Sequence, residues 1–196
     1  MVEERHTRIA LIQAGIREIR QNGLSSMSMR RIAAACGVSC ATPYKHFKNR
    51  DEFILAIFSY IHQQWRILHS DILVKFQDER EQIVETCIAY IRFLCDNPDF
   101  RSILFLQDES LSRDQLLAKS EISDGSKRMV AAFCRSKNIS EDAERRELYM
   151  IRSMLYGAAL MLGSGEMLGD EKTYAMIRSL IEREIDLVTA EPTDKN

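Results

Sequence analysis

The chain is predicted to be all-α. Three observations carry that prediction. Apolar residues recur at three- and four-residue intervals along nearly the whole chain, no stretch alternates with period two, and only 8 glycines and 3 prolines interrupt 196 residues. The expected architecture is an N-terminal three-helix head over residues 1–50 and a helical body over 51–190, about nine helices in total. A polar tail over 191–196 is expected to be disordered.

Each element has its own signal. Ile9, Ile12, Ile16 and Ile19 form one face of a first helix, which Asn22-Gly23 stops. Ser28 caps a short second helix that runs through Ala35 and ends at Gly37, and Ser39 caps a third that reaches Phe47. Asp51 opens a long fourth helix with the stripe Ile54, Ile57, Ile61, Trp65, Leu68 and Ile72. A fifth begins near Asp78, with Ile83, Cys87, Tyr90, Ile91 and Leu94 inward. Asn97-Pro98 breaks it, because the residue before a proline is pushed out of the α region. Residues 107–126 are polar and contain Gly125, so a loop or irregular helix is expected there. A helix through Met129, Phe133 and Cys134 follows. Two strongly amphipathic helices finish the chain, one from about Ser140 to Gly163-Ser164-Gly165 and one from about Asp170.

Composition narrows the function classes. No apolar run reaches the roughly 18 residues a membrane span needs, and the acidic N-terminus does not read as a signal peptide. Five cysteines at irregular spacing read as reduced thiols, which points to the cytoplasm. The net charge of -2 hides a division: residues 1–50 hold nine Lys/Arg against three acids, and the remainder 18 against 26. A head at +6 and a body at -8 suit a polyanion-binding end joined to an end that avoids nucleic acid. His62 and His69, seven residues apart, lack the tighter spacing and third ligand of a metal site, so no metal is expected. Nor does the chain contain a phosphate-cradling glycine loop, a nucleophile elbow or a His-Glu-x-x-His motif, and neither catalysis nor a cofactor is expected.

The stretch from Ser28 to Phe47 carries the functional reading. Two short capped helices flank a glycine turn, with Ile32, Ala33 and Val38 placed to pack them together. That is the composition of a helix-turn-helix, whose second helix enters the major groove of DNA. Ile32-Ala33, Gly37-Val38-Ser39, Tyr44-x-His46-Phe47 and the basic-acidic pair Arg50 and Glu52 together resemble the TetR family of transcriptional regulators. The resemblance covers roughly residues 5–60. It implies that Arg30 reaches a base edge or phosphate, and that Cys40, Ala41, Thr42 and Lys45 line the groove-facing side. It implies also that Ser28, Ser39, Tyr44, His46 and Arg50 position the DNA backbone. Pro43, Cys40 and Arg50 depart from common patterns of the family, and Cys40 leaves the base preference open.

For the body, the resemblance implies a homodimer and a small apolar inducer that releases a repressor from operator DNA. The candidate inducer pocket is lined by Trp65, Phe93, Phe105, Phe133, Tyr149 and Met150, with segment 107–126 as its gate. The body's net acidity favours neutral or cationic lipophilic compounds. The candidate dimer interface is the stripe Leu148, Ile151, Leu155, Ala158 and Leu162, joined by Tyr174, Ile177, Ile181, Ile185 and Val188. An alternative is a body that docks a protein partner and binds no small molecule.

Overall fold

In the computed structural model of the protein, which describes residues 2–190, nine helices and no strand are found among the described residues. They are α1 (Val2–Asn22), α2 (Met29–Ala35), α3 (Thr42–His46), α4 (Arg50–Lys75), α5 (Glu79–Asp96), α6 (Pro98–Leu104), α7 (Arg113–Ser136), α8 (Glu141–Ser164) and α9 (Glu171–Ala190). The all-α fold follows the sequence periodicity. The tail expected to be disordered, 191–196, lies outside the described residues. None of the described helices is long and apolar enough to cross a membrane.

Packing divides the chain into two compact units. One holds the residues up to Gln64 together with Asn97–Ile122, and the other holds Trp65–Asp96 with the chain from Ser123 onward. This division differs from a head of 1–50 and a body of 51–190. It falls inside α4 and inside α7, so both helices run from one unit into the other.

In the first unit α1 buries Leu11, Ile12, Ile16 and Ile19, and it stops where Gly23, at φ 78°, donates its amide to the Ile19 carbonyl. Only a residue free of a Cβ clash adopts that left-handed conformation readily. Gly15 lets α1 approach α4 closely: a Cβ there would lie 2.4 Å from the tip of the Phe53 ring. Phe53 in turn packs edge-on against Phe47, with ring centroids 4.8 Å apart. On α4, Ile54, Ile57, Ile61 and Trp65 are buried as their spacing requires, whereas Leu68 is exposed. The apolar stripe of α4 thus ends earlier than the sequence pattern suggests.

Segment 107–126, expected as a loop or irregular helix, is non-helical only over 107–112; from Arg113 it is regular helix, continuous with the expected helix through Met129, Phe133 and Cys134 as α7. Its start is a reciprocal capping box. The Gln115 amide donates to Ser112 Oγ at 3.3 Å, and the Ser112 amide donates to the Gln115 side-chain oxygen at 2.9 Å. Gln115 is buried and donates to Asp51 Oδ1 at 3.2 Å, which fastens that turn to the start of α4. Gly125 costs an internal helix position only about 1 kcal/mol relative to alanine. It lies against the His69 ring, 3.6 Å from where its Cβ would be.

The second unit is built on α5, α8 and α9. Tyr90 and Phe93 pack against Trp65, at centroid separations of 4.9 and 5.6 Å. Helix α8 is capped by Ser140 and ends at Gly165, which is left-handed at φ 80°. Ile151, Leu155 and Ala158 of α8, and Tyr174, Ile177, Ile181, Ile185 and Val188 of α9, are buried within the single chain, and Leu148 and Leu162 are half-buried. The expected dimer stripe is therefore an internal core, and a second chain cannot reach most of it. Exposed on these two helices instead are Tyr149, Met150 and Leu160, and Met176, Leu180 and Leu187. On α8, Tyr149 and Leu160 are eleven positions apart. Those on α9 are four and eleven apart, spacings that put each set along one face of its helix.

Candidate nucleic-acid interface and body cavity

The reading head is assembled from backbone turns and one buried acid. Ser28 caps α2, its hydroxyl oxygen accepting the Arg31 amide at 3.4 Å. Beyond α2 the chain reverses at Gly37, at φ 66°, while the Val38 amide donates back to the Ala33 carbonyl at 3.1 Å. Ile32 and Ala33 are buried where the helices meet. Pro43 occupies the first turn of α3, where its missing N–H costs nothing, and it is buried.

Ser39 does not cap α3. Ala41 takes the N-cap position with no side-chain bond, and the Ser39 hydroxyl meets the Thr42 hydroxyl at 2.9 Å. Cys40 consequently lies in the turn ahead of α3, not in its first helical turn. Cys40, Ala41, Tyr44 and Lys45 are exposed, and Arg30 is exposed on α2. Thr42 and His46 are half-buried. The presumed pair Arg50 and Glu52 separates. Arg50 donates to the Leu24 carbonyl, and Glu52 accepts the Lys48 amide at 2.8 Å while Asn49 caps α4. Arg50 thus braces the head from inside, through a contact that sequence reasoning did not foresee.

Glu18 was also missed. It is buried under α2, where it accepts from Arg31 Nε at 2.7 Å, Asn22 at 3.1 Å and the Ser28 amide at 3.3 Å. The Arg31 hydrogen bond, reinforced by the Ser28 amide, holds its carboxyl below the usual range despite burial. In sequence, an i, i+13 acid–arginine pair has no signature. Only the fold brings the two together.

The body holds a narrow, partly open apolar cavity between α5, α7 and α8. Its volume is about 20 Å³, little more than the ~10–15 Å³ that one water needs. Ile83, Cys87, Val130, Ile151 and Leu155 make its apolar wall, and Ser123, Ser126, Lys127, Arg152 and Tyr156 contribute the polar part of the lining. None of the six residues expected to line an inducer pocket does so. Tyr149 and Met150 are exposed, Trp65, Phe93 and Phe133 fill core, and Phe105 belongs to the first unit. Burial pushes the Cys87 thiol up to about 12 and the Cys134 thiol up to about 11, so both are inert packing groups. His62 and His69 go to different neighbours, Glu121 at 3.9 Å and Met129 Sδ at 3.0 Å respectively.

Residues 11–57 match the family model for bacterial regulatory proteins of the tetR family. An uncharacterised HTH-type transcriptional regulator of Mycobacterium tuberculosis is 27% identical over 176 residues, covering 87% of this chain and 81% of the relative. A TetR family regulator from Marinobacter aquaeolei has the same fold, with a TM-score of 0.75 at 20% identity over 94% of this chain and 98% of its own. The regulator FadR from Bacillus subtilis, solved with stearoyl-CoA, superposes with a TM-score of 0.68 at 18% identity over 93% and 97%. AibR, solved with isovaleryl coenzyme A and operator DNA, does so with 0.67 at 15% identity over 90% and 96%. The head thus carries a segment that matches the tetR family model, and the nine-helix chain has the fold of TetR family regulators.

Proposed function

We propose that the protein is a homodimeric repressor that leaves its operator when a small, largely apolar molecule opens the cavity between α5, α7 and α8. The observation that carries this reading is the joint presence of an exposed reading face and a narrow apolar slot. Helix α7 contributes Ser123, Ser126 and Lys127 to the slot immediately after crossing from the first unit. A ligand that widens the slot must displace α7 or its neighbours. It shifts the equilibrium only if it binds the DNA-incompetent state more tightly than the other. Ligands in related structures support the reading, since FadR and AibR hold acyl thioesters of coenzyme A.

In this reading Arg30, Lys45 and the small exposed surface of Cys40 and Ala41 face the major groove. Tyr44 and His46 meet phosphates, and Ser28, Ser39 and Arg50 fix the geometry behind them. Two chains associate through the exposed faces of α8 and α9, with Tyr149, Leu160, Met176, Leu180 and Leu187 at the interface, and a two-fold axis matches a pseudo-palindromic operator. The test is a selection from random duplexes on the full chain, followed by sizing of the complex. Enrichment of a two-fold site bound by two chains is expected. Enrichment of no sequence, or binding by a single chain, refutes the reading.

A further inference from the structure

Among the residues lining the slot, the only charged ones are Lys127 and Arg152, and both are positive. The acids near them are Asp124, paired to Lys127, and buried Glu147, which acts on Cys87 of the lining; the rest of the acidic body counts for less, because charges beyond ~8 Å are largely screened at physiological salt. The two cations differ in how they are held. Lys127 Nζ is held by Asp124 Oδ1 at 2.6 Å, one helical turn back and outside the lining. Arg152 reaches only the Tyr156 hydroxyl, at 3.4 Å, and lies over that ring at 5.6 Å from its centroid. Inward from them the wall is aliphatic, and its hydroxyl Thr86 Oγ1 has a thioether as partner, Met129 Sδ at 3.9 Å. A narrow slot between helix flanks parts most cheaply for a thin, flexible chain, whereas a rigid polycycle would need the helices to separate by more than a side-chain rotation provides.

We propose that the slot takes an amphiphile with an unbranched apolar chain and an anionic head, that Lys127 and Arg152 clamp the head, and that Asp124 is the internal counter-ion the head displaces. The inference rests on the regulator reading above and adds the chemical class of the ligand. A cationic head would meet the Arg152 guanidinium and a lysine already neutralised by Asp124, and a neutral head would leave Arg152 without a charged partner. From both cations a carboxylate or phosphate gains charge-assisted hydrogen bonds, which are roughly twice as strong as neutral ones.

The protein carries its own reporter. Trp65 is the single tryptophan, is buried, and stands 4.9 Å from the ring of Tyr90, which lines the slot. The full-length protein is titrated, below micelle concentrations, with four 16-carbon probes: hexadecanoate, hexadecanoyl-coenzyme A, hexadecan-1-ol and hexadecyltrimethylammonium. Trp65 emission and operator affinity are read together. One or both anions should bind at least roughly tenfold more tightly than the alcohol, with the cation weakest. The two anions separate a free carboxylate from a phosphate-bearing thioester. Replacing both cations (Lys127→Gln with Arg152→Gln) should erase the preference while leaving alcohol binding intact, and Asp124→Asn should tighten the anions alone. Equal affinity for anion and alcohol in the wild type, or an unchanged preference in the double variant, overturns the proposal. So does absence of binding to both the wild type and Leu155→Ala, which enlarges the slot. If the alcohol binds and frees operator as well as the anions do, the clamp fails and the regulator reading stands. If an anion binds with the predicted preference and operator affinity does not change, the clamp stands and the inducer reading fails.

Discussion

Gly15→Ala tests the packing that holds the reading head, because two known magnitudes oppose each other there. Alanine is favoured over glycine inside a helix by about 1 kcal/mol. Against that gain, the new Cβ would sit 2.4 and 2.5 Å from two atoms of the Phe53 ring and 3.2 Å from Ile57 Cδ1. Carbon atoms pack at about 3.5–4.0 Å, so the ring must retreat by roughly 1 Å. It has little room, since Phe53 is fully buried and Phe47 meets it edge-on. Overpacking of this kind costs about 1–3 kcal/mol, so the balance runs from neutral to a loss of about 2 kcal/mol, and the fixed ring favours the upper part of that range. For a chain of this length, a loss of 1–2 kcal/mol lowers the melting temperature by roughly 2–8 °C. Gly157→Ala is the matched control. It lies inside α8, where the nearest atom to a new Cβ would be Met161 Cε at 3.9 Å, so there the helix gain should prevail. Thermal unfolding of both variants by far-ultraviolet circular dichroism, with operator affinity measured alongside, decides the matter. Gly15→Ala should melt lower and bind operator more weakly, since Phe47 ends α3, and Phe53→Leu should recover part of the loss. If Gly15→Ala melts as high as Gly157→Ala, the close approach of α1 to Phe53 is wrong.

Three further outcomes are expected. Arg30→Ala should weaken specific operator binding by about 1–3 kcal/mol if its contact is bidentate to guanine, and a measured loss below about 0.5 kcal/mol in filter binding removes Arg30 from the interface. Leu180→Asp should dissociate the dimer in analytical ultracentrifugation without altering the fold, because Leu180 is exposed and its neighbour Ile181 is not; a dimer that persists refutes the α9 interface. Glu18→Gln should destabilise the head by about 1.5–3 kcal/mol through the weakened Arg31 bond. Because the folded carboxyl titrates below its unfolded value of 4.5, its contribution is present above that pH and is lost as pH falls through the folded value. The gap between wild type and Glu18→Gln in urea titrations should therefore close on acidification, and a gap that widens contradicts the assignment.

How much of this was legible beforehand depended on what each pattern encodes. Periodicity and caps located α1, α2, α4, α5, α8 and α9, because a stripe of isoleucines or a Ser28 cap states a local requirement directly. The first half of α7 was not recognised as regular helix because it has few buried apolar groups (Ile122 among them), and its start rests on Ser112 and Gln115, a polar box easily taken for loop composition. The dimer stripe was misplaced for a different reason. A strong apolar stripe says that a face is buried but not by what, and here the chain's own helices cover it. The cavity was misjudged because large aromatics such as Trp65 and Phe93 fill space, whereas a slot persists where Cys87, Ser126 and Thr86 leave it. Within the head, the exposed positions of Arg30, Tyr44 and Lys45 were readable, but the inward turn of Arg50 and the Glu18 clamp needed three dimensions.

The charge of the head also takes on a different meaning once its partners are known. Of its nine basic side chains, Arg31 is spent on Glu18, Arg20 on Asp99, Arg50 on the Leu24 carbonyl, and Arg8 lies over the Phe47 ring. Arg5, Arg17, Arg30, Lys45 and Lys48 are exposed and remain for phosphates. Two heads could then displace at most ten counterions between them. At about 0.9 per neutralised phosphate, the plot of log K against log salt should be no steeper than about -9. Nearly half of the head's positive charge serves to build the reading surface, and its grip on DNA should be correspondingly easier to release by salt-tolerant, inducer-driven means than a +6 domain would suggest.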